Sequence, residues 1–140
     1  MAGHGAPSSS EPIIYIDRSD IREGAVDELK AGVQRLVDFM SAREPQLMMY
    51  GFSIDDEAGQ MTVLAVHPDS ASLELHMEIG SAEFGRLAHL LRLTAIECYG
   101  QPSGRALEQL RRKAATLADG GTVVSIGRFA GFAHPTLQGL

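Results

Sequence analysis

His67, Asp69, Ser72 and His76 fall within ten positions and form the one tight grouping of polar, titratable side chains in otherwise apolar surroundings. They lie in the stretch MTVLAVHPDSASLELHMEIG, Met61 to Gly80. A neutral imidazole in an apolar pocket can accept a proton as a general base. His76 is the candidate for that catalytic role. Ser72, four residues earlier on the same helical face, is placed to orient it. The plainer alternative is a buried histidine satisfied by a backbone carbonyl or a hydroxyl. His67, at a strand end beside Pro68, is either a ligand contact or a turn histidine bonded to Asp69. The spacing of His67, Asp69 and His76 does not match a metal-ligand set, and the aspartate is better used as a helix cap, so no metal is expected.

Other side chains add less. Tyr15, Tyr50 and Tyr99 are spread over three expected strands, and any that faces the helices could hydrogen-bond a ligand. Met40, Met48, Met49, Met61 and Met77 suggest an adaptable apolar interior that suits either packing or a flat hydrophobic ligand. The candidate substrate contacts are His67, Ser72, Tyr50 and Met77. Cys98 has no basic neighbour to lower its pKa and reads as structural. Arg111, Arg112 and Lys113 form a short basic run where a helix C-terminus favours cations, and no partner is needed to explain them.

The elements that must position these residues follow from periodicity. Met61 to Val66 is almost continuously apolar, the pattern of a strand covered on both faces. Pro68 ends it, and Asp69 or Ser70 can cap the next helix. Around that helix Glu74 and Glu78 fall on a solvated side, whereas His76 lies in the middle of an arc flanked by Leu73, Leu75, Met77 and Ile79. Upstream, Ile13 to Asp17 reads as a strand and Ser19 to Gly24 as a polar turn. Ala25 to Arg43 reads as an amphipathic helix stopped by Pro45. Leu47 to Ile54 is a strand joined to Met61 by a hairpin loop. Downstream, Gly80 is expected to interrupt, and Ser81 to open another helical piece containing His89. Leu93 to Tyr99 is a strand. A helix beginning at Pro102 and Ser103 is closed by Gly120 and Gly121, and Thr122 to Ile126 is a last strand.

The chain has 140 residues, 44% hydrophobic and 21% charged, which bounds it to one ordinary globular domain with a real core. The expected layout is a disordered tail over 1–11, one domain over 12–132 and a C-terminal tail over 133–140. A net charge of −6 argues against a nucleic-acid binder, which needs a basic face to neutralise phosphates. No apolar run approaches the roughly 20 residues of a membrane span, and no secretory leader is visible, so a cytoplasmic location is expected. A single cysteine excludes an internal disulfide. No Gly-rich phosphate loop lies between strand and helix, and no cofactor is expected.

The order of elements up to Tyr99 is the split βαβ, ferredoxin-like βαββαβ arrangement, an α+β fold with an additional C-terminal helix and strand. Two helices on one face would leave the other face of an apolar sheet bare. Either the extra helix folds back over it or a second copy of the chain packs sheet to sheet, and the dimer is the favoured expectation.

The runs IIYIDRSDIREG, REPQLMMYGFSID, MTVLAVHPDSASLELHM, ECYG and AGF, spread over Ile13 to about Phe132, resemble the antibiotic biosynthesis monooxygenase-like group of the dimeric α/β barrel superfamily. The resemblance implies a homodimer with a pocket in each protomer between sheet and helices, taking a small apolar, aromatic or quinone-like molecule. It implies cofactor-independent oxidation of that molecule or, alternatively, ligand binding without catalysis. Haem-degrading members rely on an Asn, a Trp and a His, and the polyketide oxygenases commonly place Asn and Trp near the substrate. This chain contains neither Asn nor Trp.

Overall fold

Strict alternation along the first strand sets the layers. In β1 (Ile13–Ile21) the residues Ile13, Tyr15, Asp17, Ser19 and Ile21 are buried, while Ile14 and Arg18 between them are exposed. In the computed structural model, which describes residues 11–117 and 122–134, this strand is the centre of one five-stranded sheet. Its remaining strands are β2 (Met49–Asp55), β3 (Gln60–His67), β4 (Leu91–Tyr99) and β5 (Thr122–Ile126), in the order β2-β3-β1-β4-β5. The pairings among β1 to β4 are antiparallel, and β5 joins β4 in parallel.

The inner face is covered by α1 (Val26–Arg43), α2 (Ser70–Gly85) and α3 (Gly104–Leu117). Leu29, Val33, Leu36 and Met40 of α1 pack with Ile21, Met61, Val63 and Leu91. Ala106, Leu110 and Ala114 of α3 share a second cluster with Ile13, Tyr15, Ala65, Leu93 and Ile96. All three helices therefore lie on one side, and the alternative in which α3 folds over the bare face is not realised. Local chemistry starts each later helix. Asp69 Oδ1 accepts from the Ser72 N–H at 2.9 Å, and Ser103 Oγ accepts from the Ala106 N–H at 3.0 Å.

Several expected boundaries move. β1 runs on to Ile21 rather than turning at Ser19, because Ser19 and Asp20 still pair with β3 and β4, and Arg92 donates to Asp20 at 2.8 Å. The β1–β4 register slips between Arg18 and Ser19, and the Thr94 hydroxyl caps the irregularity by donating to the Arg18 carbonyl at 3.0 Å. β2 begins at Met49 and β4 at Leu91. The expected break at Gly80 does not occur, since α2 continues through it to Gly85. A Cβ at Gly80 would lie 3.0 Å from Met40 Cε. The missing side chain lets α2 close on α1, which offsets the roughly 1 kcal/mol a helical glycine costs. His89 lies not in that helix but in a single 3-10 turn, Ala88–Leu90, within 3.5 Å of Glu28. The expected stop at Gly120 and Gly121, and most of both expected tails, fall outside the described residues.

Candidate functional site

Register places the site. Across the inner face Tyr50 of β2 pairs with Ala65 of β3, which pairs with Tyr15 of β1. The two tyrosines thus stand two strands apart with only a methyl group between them. Above this row, between the sheet and helices α2 and α3, lies a cavity of about 720 Å3. That size falls in the range of small-molecule sites. Its wall includes Tyr50, His76, Met77 and Phe84, and at the α3 end Tyr15, Asp17, Gln109 and Lys113.

His76 reaches this cavity from the inward stripe of α2. Its Nδ1 lies 3.0 and 3.2 Å from the two carboxylate oxygens of Glu44, a residue only 3% exposed. Glu44 follows the last turn of α1, where its N–H bonds the Met40 carbonyl at 2.9 Å, and Pro45 forces the chain away immediately afterwards. With Nδ1–H donating to that carboxylate, the lone pair of the imidazole is left on Nε2, which no hydrogen bond among the described residues engages. A carboxylate behind an imidazole fixes its tautomer and orientation.

His67 is a different case. It is wholly buried and does not line the cavity. Its Nδ1 is 2.7 Å from Ser72 Oγ, and its Nε2 is buried without a partner. Burial, with a smaller contribution from neighbouring His76, lowers its pKa to about 3. Neither expected role at this residue is realised in that form, because it bonds Ser72 rather than Asp69 and is sealed from any ligand in the cavity. Ser72 is also buried away from the cavity and orients His67, not His76. Gln46 ties the two histidines together, with its Nε2 donating at 3.2 Å both to Glu44 Oε1 and to Ser72 Oγ. Of the expected substrate contacts, Tyr50 and Met77 line the cavity together with His76, and His67 and Ser72 do not.

The α3 end holds a second polar group. Lys113 Nζ donates to Tyr15 Oη at 2.8 Å and to Asp17 Oδ2 at 3.0 Å, and Tyr15 in turn donates to Asp17 Oδ2. The ammonium lies 4.2 Å from the centre of the Phe84 ring, a cation–π contact. Burial, then the charge of Asp17, raises the Tyr15 pKa well above its usual value, so this phenol stays protonated. Tyr50 is raised too, first by burial and then by Asp17 and Glu44.

Tyr99 faces the opposite side of the sheet and does not line the cavity, and β3 separates the strands of Tyr50 and Tyr15, so the three tyrosines do not form one set. Cys98 is buried, and burial pushes its thiol up to about 11, which removes it as a nucleophile. Among the described residues no group of three or more His, Cys, Asp and Glu side chains is arranged to hold a metal ion. Nor is any described helix long and apolar enough to cross a membrane.

Glu44, Asp17, Gln109 and Lys113 were not singled out as site residues by sequence reasoning. The alternation of β1 carries Asp17 onto the face of Ile13 and Tyr15, and Lys113 lies three residues after Leu110 on the buried stripe of α3. Those were usable signals. Glu44 offered none, because its inward turn depends on how the chain leaves α1.

No family model and no curated protein matches the chain. Solved structures do. MupZ from Pseudomonas fluorescens is 21% identical at a TM-score of 0.70, with 90% of this chain and 97% of that one covered. A putative antibiotic biosynthesis monooxygenase from Caulobacter crescentus CB15 is 16% identical at a TM-score of 0.59, covering 68% and 93% of the two chains. SnoaB from Streptomyces nogalater, a cofactor-independent oxygenase, is 16% identical at 0.55, covering 66% and 95%. At identities this low the likeness shows the fold alone, and the chain shares the ferredoxin-like fold of these structures.

Proposed function

We propose that the cavity binds a small aromatic or quinone-like molecule and that His76, backed by Glu44, removes a hydroxyl proton so that the resulting anion reacts with dioxygen without a cofactor. For a phenol with a free para carbon, one oxygen atom of dioxygen ends on that carbon as a carbonyl. The other leaves as water, carrying the hydroxyl proton and the displaced ring hydrogen. The observation that carries this reading is the imidazole–carboxylate pair at the wall of the cavity, with Nδ1 anchored and Nε2 unengaged. The oxygenase activity described for SnoaB, which shares the fold, is consistent with it.

Oxygen uptake tests it, measured on 1-naphthol and related phenols that bind. His76→Gln, whose amide can still donate to Glu44, should abolish turnover, a loss on the order of a hundredfold or more, with the melting temperature nearly unchanged. A large loss of stability would make His76 a core residue instead. Binding without oxygen consumption would establish the second reading, a ligand-binding protein without catalysis. The complete absence of Asn and Trp, residue types common in the oxygenases it resembles, favours that reading.

In either case the working unit is a homodimer joined through the outer sheet face. On that face Met49, Val66, Ile14, Tyr99 and Ile126 form one cross-strand row, and Gly51, Leu64, Ile16, Glu97 and Val124 the next. Met49 is 52% exposed and Ile126 49%, so large apolar side chains stand open at both ends of the first row, the kind of surface a partner covers. Light scattering should find twice the chain mass, and Leu64→Glu should halve it with circular dichroism unchanged. A wild-type particle of single-chain mass would eliminate the dimer.

A further inference from the structure

We infer that the α3 end of the cavity is a recognition subsite for a hydroxylated ligand, with Asp17 Oδ1 accepting from a ligand hydroxyl and Lys113 donating to a second ligand oxygen. This rests on the pocket reading above and deepens it by specifying the oxygen pattern of the molecule bound.

The argument starts from unmet hydrogen-bonding capacity. Asp17 is fully buried, and its Oδ2 already accepts from both Tyr15 and Lys113. Its Oδ1 is buried with no partner. A carboxylate oxygen taken out of water without a donor is costly, and native proteins seldom leave one so. Asp17 lines the cavity, and a small rotation of its carboxylate would bring Oδ1 to a donor on whatever fills it. Lys113 has the complementary surplus. An ammonium has three N–H donors, and two are used on Tyr15 and Asp17. The Phe84 ring beneath it and the Asp17 charge beside it hold the group in place, leaving the third donor fixed rather than wandering.

Gln109 extends the pattern. It lies one helical turn before Lys113 on the same face of α3 and also lines the cavity. Its Nε2 donates to the Glu74 carbonyl at 3.4 Å, while its Oε1 is buried and unpartnered. The subsite thus offers two acceptors and one donor. A plain quinone presents acceptors only and would leave both protein oxygens unsatisfied. A ring bearing two hydroxyls and a carbonyl satisfies all three groups, and one hydroxyl with a carbonyl satisfies Asp17 and Lys113, so ligands should be chosen by their hydroxyls.

The competing account is local. Ser19, the next inward residue of β1, also has a buried hydroxyl without a partner, and a water shared by Ser19 and Asp17 would make the carboxylate indifferent to the ligand. Calorimetric titration with tetralin, 1-tetralone, 1-tetralol and 4-hydroxy-1-tetralone separates the two. The hydroxyketone should bind at least about tenfold tighter than 1-tetralone, the ratio expected for one hydrogen bond to a charged group. Asp17→Asn should shrink the hydroxyl preference severalfold, and Lys113→Met the carbonyl preference. If Asp17→Asn fails to fold, the wild-type series still decides. Equal affinities for the four compounds, or a hydroxyl preference that survives Asp17→Asn, would overturn the subsite and leave the proposed oxidation standing. A preference that persists in His76→Gln, or in a wild-type protein that consumes no oxygen, supports the subsite and removes only the catalysis. No binding by any probe overturns the subsite together with the pocket reading.

Discussion

His67 and His76 belong to one hydrogen-bonded network, their rings are 5.2 Å apart, and they have opposite chemistry. His76 faces the cavity and has a carboxylate behind it. His67 lies at the strand end below, sealed from solvent, with only a serine hydroxyl for company. A buried imidazole beside a hydroxyl cannot afford a charge, which is why its pKa falls to about 3. The contrast teaches that access and the second partner, not residue type or proximity, divide the proposed base from a structural group. Gln46 makes the division firm by bonding Glu44 and Ser72 at once, so each histidine is held to its own partner.

After loss of the His76 ring itself, the largest effect should come from its partner. Glu44→Gln keeps the volume and the acceptor for Gln46 but removes the negative charge that steadies a protonated His76. Turnover of the phenols above should fall on the order of a hundredfold, read by oxygen consumption. His67→Gln should leave it within a few-fold. Equal losses in the two variants would mean that the histidines act as one unit, and the contrast would fail.

A smaller effect should appear in acid. The folded protein keeps His67 neutral down to about pH 3, whereas the unfolded chain protonates it near 6.5. Above that value neither state binds the proton. As pH falls below it, the unfolded state alone gains one, so stability declines with falling pH. Between pH 7 and pH 5 the loss from this group should be about 2 kcal/mol. Urea melts at the two pH values should show that loss in the wild type, and His67→Gln should lack that part of it. An identical pH dependence in both proteins would assign the acid sensitivity elsewhere.

Much of the frame was legible. The amphipathic stripe from Val26 to Met40, the stop at Pro45 and the Asp69 cap each report burial or capping within one element, and those elements form where they indicate. The failures are equally specific. Ser72 was read as the partner of His76 because a helix puts residues four apart on one face. In the fold its hydroxyl turns instead to His67, brought within reach by the short turn through Pro68 and Asp69. Gly80 looked like a break because propensity says nothing about a neighbouring helix that needs the space. Lys113 looked like a helix-end cation because nothing in its own helix reveals Asp17 beneath it.

From the order of its residues alone this chain determines its strands and helices, which face of each is apolar, and which histidine lies on an inward stripe. Tertiary structure alone decided the chemistry. Glu44 meets His76 across 32 positions, and Lys113 meets Asp17 across 96. Periodicity measures how one element divides between water and core. Where two side chains from different elements converge depends on the distance and rotation between those elements, and these are set only when the whole core packs.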